Sequence, residues 1–306
     1  MNVMHISIIL VNYNSDAYAI DCLDSLLKIN TPGFRYSIVV VDNASSTPMI
    51  LPKRLMVPSI ELIRSESNLG FTGGNNMGIH YCVEKYNSDY VLLLNNDTTV
   101  HPDFLKELLA HAEKYPKAGL TTSKIYFTKG REFHLNSYKK EELGKVFWYA
   151  GGSIDWDNLV AFHRGVDEVD RGHFDTQLEC DFATGCVLMI KREVLEKVGT
   201  LDKKYFLYME DADYSVRVKK AGYEIHFVPK SIVWHKNAGS TGGSGSPLQE
   251  YYQTRNTMLF TFKHGGLRQI ITVFRLMIGF LIDGNSRHRL AVYHLLTGRF
   301  GKQPFI

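Results

Sequence analysis

Four short apolar runs fall within the first hundred residues, and helical spacing fills two of the three gaps between them. The runs are Ile6–Val11, Ser37–Val41, Ile60–Ile63 and Tyr90–Leu94. They are too short for helices and rich in β-branched residues, so they predict strands buried on both faces. Tyr18–Ile29, closed by Thr31-Pro32-Gly33, and Gly73–Tyr86 carry helical patterns; Pro102–Lys114 adds a third, with proline near its start. Strands that alternate with helices imply an α/β fold built on a mostly parallel sheet with helices on both faces. Ligands bind such sheets beyond the carboxyl ends of the strands. Polar clusters stand at those ends: Asn12-Tyr13-Asn14, Asp42-Asn43 and Asn95-Asn96-Asp97.

The alternation fades after Phe127. Residues 129–145 are charged and weakly periodic, which predicts a loop or an excursion on the acceptor side. Ala183–Ile190 is an apolar run, Arg192–Val198 and Asp211–Ala221 read as helices, and the Gly/Ser-rich stretch 239–247 reads as a flexible loop. From Leu248 onward the pattern is helical, with apolar and basic residues mixed. Ile270–Ile282 is the strongest apolar stretch, but it is too short to span a bilayer and contains Arg275.

Of the 306 residues, 44% are hydrophobic and 22% charged, which argues against global disorder. A formal net charge of only +3 gives no reason to expect a nucleic-acid partner. Cys22, Cys82, Cys180 and Cys186 form no Cys-x-x-Cys pair, so they predict buried reduced thiols and a cytoplasmic setting without a signal peptide.

Five constellations carry candidate chemistry. Asp42 follows a strand and can accept a hydrogen bond from the imide N–H of a uracil or thymine; the plainer reading is a turn or cap. The stretch 68–78, Asn-Leu-Gly-Phe-Thr-Gly-Gly-Asn-Asn-Met-Gly, allows close backbone approach to a ligand at a helix N-terminus. Its spacing matches neither Gly-x-Gly-x-x-Gly nor a P-loop, which disfavours a dinucleotide oxidoreductase or an NTPase. Asn95-Asn96-Asp97 can place a carboxylate on a hard cation that also holds a diphosphate, or can be an ordinary strand-end turn. Glu210-Asp211-Ala212-Asp213 opens a helix, where acids are common dipole partners. Crowded in a low-dielectric cleft, they would instead raise one carboxylate's pKa and make it a usable base. Trp234-His235 ends the last strand-like piece, and its imidazole is a structural residue or a metal ligand.

In order along the chain, these motifs resemble family 2 glycosyltransferases, in particular the bacterial rhamnosyltransferase-like branch. The markers are Val11-Asn12-Tyr13-Asn14, Val41-Asp42-Asn43-Ala44-Ser45, Asn68-Leu69-Gly70-Phe71, Leu94-Asn95-Asn96-Asp97, Trp148-Tyr149-Ala150-Gly151-Gly152, Ala183-Thr184-Gly185, Tyr208-Met209-Glu210-Asp211-Ala212-Asp213, Trp234-His235 and Arg255-Asn256. The resemblance implies a GT-A-type, Rossmann-like fold over residues 1–247, with a nucleotide-sugar half (1–127) and an acceptor and catalytic half (128–247). A C-terminal helical extension would cover 248–306. It implies donor contacts from Asn12, Asn14, Asp42, Asn43, Asn68, Phe71, Asn75, Asn95, Asn96 and Asp97, and acceptor contacts from Trp148, Gly151, Gly152, Thr184 and Gly185. Asp211 looks like the base, supported by Glu210 and Asp213. Asp97 and His235 would hold Mg²⁺ or Mn²⁺. Asn95 stands where many relatives have Asp, which lowers the charge offered to the cation.

The implied reaction is an inverting transfer from a nucleoside-diphosphate sugar, dTDP-L-rhamnose first and a UDP-hexose second, to a saccharide or lipid-linked oligosaccharide in surface-polysaccharide synthesis. A pyrophosphorylase would carry a glycine-rich basic loop after the first strand, where this chain has Asn12-Tyr13-Asn14-Ser15. A non-catalytic carbohydrate-binding module would need neither Asp97 nor the 210–213 acids. The basic, apolar C-terminal segment leaves open a peripheral contact with the inner face of the cell membrane, a homodimer contact, or packing on its own domain.

Overall fold

The computed structural model describes residues 3–237 and 245–304. The chain runs β1 (Met4–Asn12), α1 (Asp16–Leu26), β2 (Phe34–Asp42), β3 (Ile60–Arg64), α2 (Gly70–Tyr86), β4 (Tyr90–Leu94), β5 (Thr98–Val100), α3 (Phe104–Lys114) and β6 (Ala118–Phe127). It continues β7 (Phe147–Tyr149), β8 (Gly152–Asp155), β9 (Val160–His163), β10 (Val187–Lys191), α4 (Arg192–Val198), α5 (Glu210–Lys220) and β11 (Glu224–His235), then α6 (Pro247–His264), α7 (Leu267–Ile282) and α8 (Ser286–Leu296). Most of the 239–247 stretch read as a loop lies outside the described residues.

One nine-stranded sheet organises the molecule in the order β3-β2-β1-β4-β10-β6-β11-β5, with β7 on β6. From β3 to β4 every pairing is parallel, as the unbroken apolar runs predict. Beyond β4 the sheet is mixed: β10 enters antiparallel between β4 and β6, while β6 and β11 pair in parallel. Within Ala183–Ile190 only the second half is strand; residues 183–186 turn into the cleft beside it. Residues 129–145 carry one short 3₁₀ turn, at Leu135–Ser137, and no strand.

Gly74 and Gly78 of α2 serve packing on the sheet, a use that the expectation for this helix did not include. A Cβ on Gly74 would stand 2.8 Å from Val11, and one on Gly78 would stand 2.5 Å from Ile9, so both let α2 lie close on β1. Three N–H groups at the start of α2 already have partners. Leu69 N–H donates to Asn43 Oδ1, Gly70 N–H to Asn68 Oδ1 and Thr72 N–H to the Phe206 carbonyl. These oxygens satisfy groups that an anion would otherwise need.

All four cysteines are free and buried, as read from their scatter. The main core spans both faces of the sheet. A second core joins Phe206 to Tyr251, Tyr252 and Met258 of α6, to Val273 and Met277 of α7, and to Ala291 and Val292 of α8. The C-terminal helices therefore pack on the segment that precedes α5.

Candidate active site

The carboxyl ends of β1 and β4 open into a cleft of about 530 Å³. Its lining includes Asn43, Asn68, Phe71, Asn75, Asn95, Asn96, Asp97, Trp148, Thr184, Gly185, Glu210, Asp211 and His235. Residues far apart in the chain thus meet where a twisted α/β sheet binds ligands.

Asp211 stands in the first turn of α5, part-exposed to the cleft. Its Oδ2 accepts the Gly185 N–H at 2.9 Å and its Oδ1 the Ala212 N–H at 2.8 Å. Protein surrounds the carboxylate, and this burial raises its pKa above the usual carboxylate range; the backbone N–H groups only partly offset it. Glu210 is more deeply buried, and its Oε2 has no partner. Burial first, and the charge of Asp211 second, push it well above its ordinary value.

Asp213 differs. Its side chain is fully buried away from the cleft and bonds Lys263, His264, Arg217 and the Tyr205 hydroxyl. Burial alone would raise it, but hydrogen bonds from His264 and Lys263 and the charge of Arg217 hold it low. Asp213 and Asp211 point to different faces, because they stand two apart on a helix, while the charge of Asp213 still adds to the rise at Glu210.

Asp97 Oδ1 lies 3.0 Å from His235 Nε2. β5 and β11 pair through Thr98↔His235, which fixes the two side chains together. His235 Nδ1 is buried without a partner, and the ring meets Trp148 edge-on at 4.4 Å. Two cis ligands of a six-coordinate cation at about 2.1 Å lie roughly 3 Å apart, so this pair suits one Mg²⁺ or Mn²⁺. Asn95 and Asn96 also line the cleft, and Asn96 Nδ2 is already tied to Asn12 Oδ1 and Ser15 Oγ. A separate carboxylate–histidine group, Glu179, Glu224 and His226, gathers at the far end of β11. There the His226 ring is already bonded to Glu224 and His111.

Several candidates lie outside the cleft lining. Asn12 braces Asp16, Ser15 and Asn96. Asn14 donates its backbone N–H to Ser45 Oγ and accepts the Ser46 N–H at its Oδ1. The Asp42 carboxylate is buried and accepts the Ser45 and Met49 N–H groups as well as Arg64. Burial would raise it, but these partners outweigh burial and lower its pKa. Gly151 and Gly152 sit under Arg164 and Phe182.

The cleft also holds residues to which the motifs gave no role. Tyr13, Phe133, His163, Leu207 and Tyr208 line it, and so do Gln249 and Gln253 of α6. Burial lowers the His163 pKa to about 4, so its imidazole is neutral. Gln249 and Gln253 stand one helical turn apart, a spacing that could have marked a polar face. A segment before α5 forms one wall, with Phe206, Tyr208 and Met209 all at φ near the left-handed region, 65°, 68° and 70°. Such values strain non-glycine residues. Fully buried Arg255 and Asn256 hold this wall: Arg255 Nη2 donates to the Lys204 and Tyr205 carbonyls, and Asn256 Nδ2 to those of Tyr205, Leu207 and Tyr208. Gly70 takes φ +71° beside it, where any Cβ would stand 2.4 Å from Phe206.

Residues 4–256 match the family model described as glycosyltransferase like family 2. The chain belongs to this family. It is a glycosyltransferase, and its relatives include both hexosyl- and rhamnosyltransferases. It is 27% identical over 254 residues to the low-salt glycan biosynthesis hexosyltransferase of Haloferax volcanii, covering 83% of this chain and 74% of that one. It is 25% identical over 229 residues to the rhamnosyltransferase WbbL of Escherichia coli, covering 72% and 80%. It is 27% identical over 243 residues to an N-acetylglucosaminyl-diphospho-decaprenol L-rhamnosyltransferase of Mycobacterium tuberculosis, covering 75% and 76%. Among solved structures, a mannosyltransferase from Pyrobaculum calidifontis in complex with GDP-Man and Mn²⁺ superposes with a TM-score of 0.54 at 14% identity, covering 96% of this chain and 79% of that one. The fold is that of GT-A glycosyltransferases.

Proposed function

We propose that this glycosyltransferase moves L-rhamnose from a dTDP donor to a saccharide hydroxyl in surface-polysaccharide synthesis, with inversion at the anomeric carbon. The observation that carries the reading is a proton-attracting carboxylate, Asp211, in the same cleft as the Asp97–His235 pair. Asp211 takes the proton from the acceptor hydroxyl as its oxygen attacks the anomeric carbon. The C1–O bond to the diphosphate breaks on the opposite face, which inverts the centre. Asp97 and His235 hold the divalent cation, with Asn95 as an uncharged neighbour. When bound, that cation offsets the charge on the leaving diphosphate.

Gly185 and Ala212 orient the Asp211 carboxylate through their N–H groups. Asn43, Asn68, Phe71 and Asn75 form the donor side; Trp148, Thr184 and Gly185 form the acceptor side. The rhamnosyltransferases among the relatives support the sugar, and the decaprenol-linked acceptor named for the mycobacterial one supports a lipid-linked acceptor here. The hexosyltransferase relative supports a hexose donor, and a UDP-hexose is the second reading. A donor panel decides between them. Mn²⁺-dependent release of dTDP from dTDP-L-rhamnose, stimulated by saccharide acceptors, is the expected result. Turnover of UDP-hexoses alone would replace the first reading by the second.

A further inference from the structure

Helix α7 carries two apolar faces, and the described residues cover only one of them. Val273 and Met277 point into the core that α7 shares with α6 and α8. At about 100° per residue, Leu267, Ile271, Phe274, Ile278, Leu281 and Ile282 fall on a second arc about 100° wide. That arc is centred about 110° from the buried pair. These six side chains are open: Leu267 is 77% exposed, Ile282 66%, Ile278 57% and Phe274 50%. Single exposed apolar residues are ordinary, but a continuous stripe of six on a well-formed helix marks a contact surface.

The charges beside the stripe say what covers it. Arg275 and Arg268 border the edge of the stripe that faces away from the core, at about 80° and 100° on the same wheel. Arg275 makes no ion pair or hydrogen bond with a described residue, and Arg268 reaches the exposed Asp157. From Gly265 to Ile306 the chain has Arg268, Arg275, Arg287, Arg289, Arg299 and Lys302 against the single acid Asp283. A second copy would bring the same positive excess to the contact. An anionic lipid surface would meet it with opposite charge.

No helix among the described residues is long and apolar enough to cross a membrane. A helix with an apolar stripe edged by arginines fits a position in the plane of the interface, its apolar side chains among the acyl chains and its guanidinium groups at the phosphates. We infer that α7 docks the enzyme on an anionic phospholipid surface through Leu267, Ile271, Phe274, Ile278, Leu281 and Ile282. One ion pair links the start of the docking helix to the hairpin of β8 and β9. Asp157, the partner of Arg268, sits in the hairpin whose second strand ends at the cleft residue His163. This surface stands independently of which sugar the cleft transfers.

Vesicle flotation of the full chain tests it, with phosphatidylcholine vesicles containing about a third phosphatidylglycerol. The chain should float with them at low salt and be released by high salt. A chain carrying Ile271→Glu, Phe274→Glu and Ile278→Glu should keep its melting temperature, since all three side chains are exposed, and should lose at least about tenfold in vesicle affinity. Arg268→Glu with Arg275→Glu should also lose about tenfold or more. The proposal is overturned if the unmodified chain stays with the soluble fraction, or if the triple variant floats equally well. Equal capture by pure phosphatidylcholine overturns it too, as does light scattering that finds a dimer which the triple variant dissolves while vesicles capture neither chain.

Discussion

Asp211 is held where its own ionisation is disfavoured, and this matters for a base. A carboxylate of ordinary pKa is a weak proton acceptor near neutrality; burial raises the proton affinity of Asp211. Asp211→Asn should lower kcat by at least about 10²-fold while donor affinity stays within a few-fold, as expected of a general base. Steady-state kinetics with direct donor titration check this, and near-normal turnover would remove Asp211 from the mechanism. The pH dependence has a fixed sign. The base works deprotonated, so kcat should rise with pH through the raised pKa and level off above it. The acid limb should therefore lie above the ordinary Asp value of about 3.9. At this scale the sequence marks residues that the fold brings into one cleft. Asp97 and His235 end apolar runs and meet across two paired strands. Only the family resemblance separates Asp211 from Asp213; local chemistry does not, because their partners, Gly185 on one side and Lys263 and His264 on the other, come from remote parts of the chain.

The wall before α5 is the element that local sequence reveals least. Phe206, Tyr208 and Met209 take left-handed backbone without being glycine or asparagine, so no turn residue announces it. What fixes them is distant: Arg255 and Asn256 on α6, whose buried donors gather four carbonyls of residues 204–208. Two adjacent strongly polar residues in an aromatic-rich helix were the available signal. The antiparallel entry of β10 was hidden for a similar reason, since periodicity identifies a strand but not its neighbour. Asn256→Ala should destabilise the fold by about 2–4 kcal/mol, the sum of two or three buried hydrogen bonds and the strain they offset. Asn256→Asp keeps the shape but turns a donor into an acceptor facing three carbonyls, so it should cost more than alanine. Urea unfolding of both variants ranks them, and an aspartate variant as stable as the parent would mean that these contacts do not hold the wall.

Across the whole molecule, the cleft gathers side chains from Val11 to Gln253, so a donor that occupied it would bridge both halves of the sheet and α6. A ligand that binds only the folded chain stabilises it by mass action, about 2.7 kcal/mol at a hundredfold excess over Kd. For a chain of this size that is a rise in Tm of roughly 5 °C. A nucleoside diphosphate should therefore raise Tm modestly alone and further with Mn²⁺, and the Mn²⁺ increment should depend on Asp97 and His235. Differential scanning fluorimetry of four variants separates the roles. Asp211→Asn should keep the full increment, since the base is not needed for binding. Asp97→Ala and His235→Ala should each lose most of the Mn²⁺ increment and keep the nucleotide effect. His226→Ala should change neither, because its carboxylate partners lie at the opposite end of β11 from the cleft. If the increment instead survives Asp97→Ala and vanishes with His226→Ala, the cation belongs to the Glu179–Glu224–His226 group, and the cleft must stabilise the leaving diphosphate with its own donors.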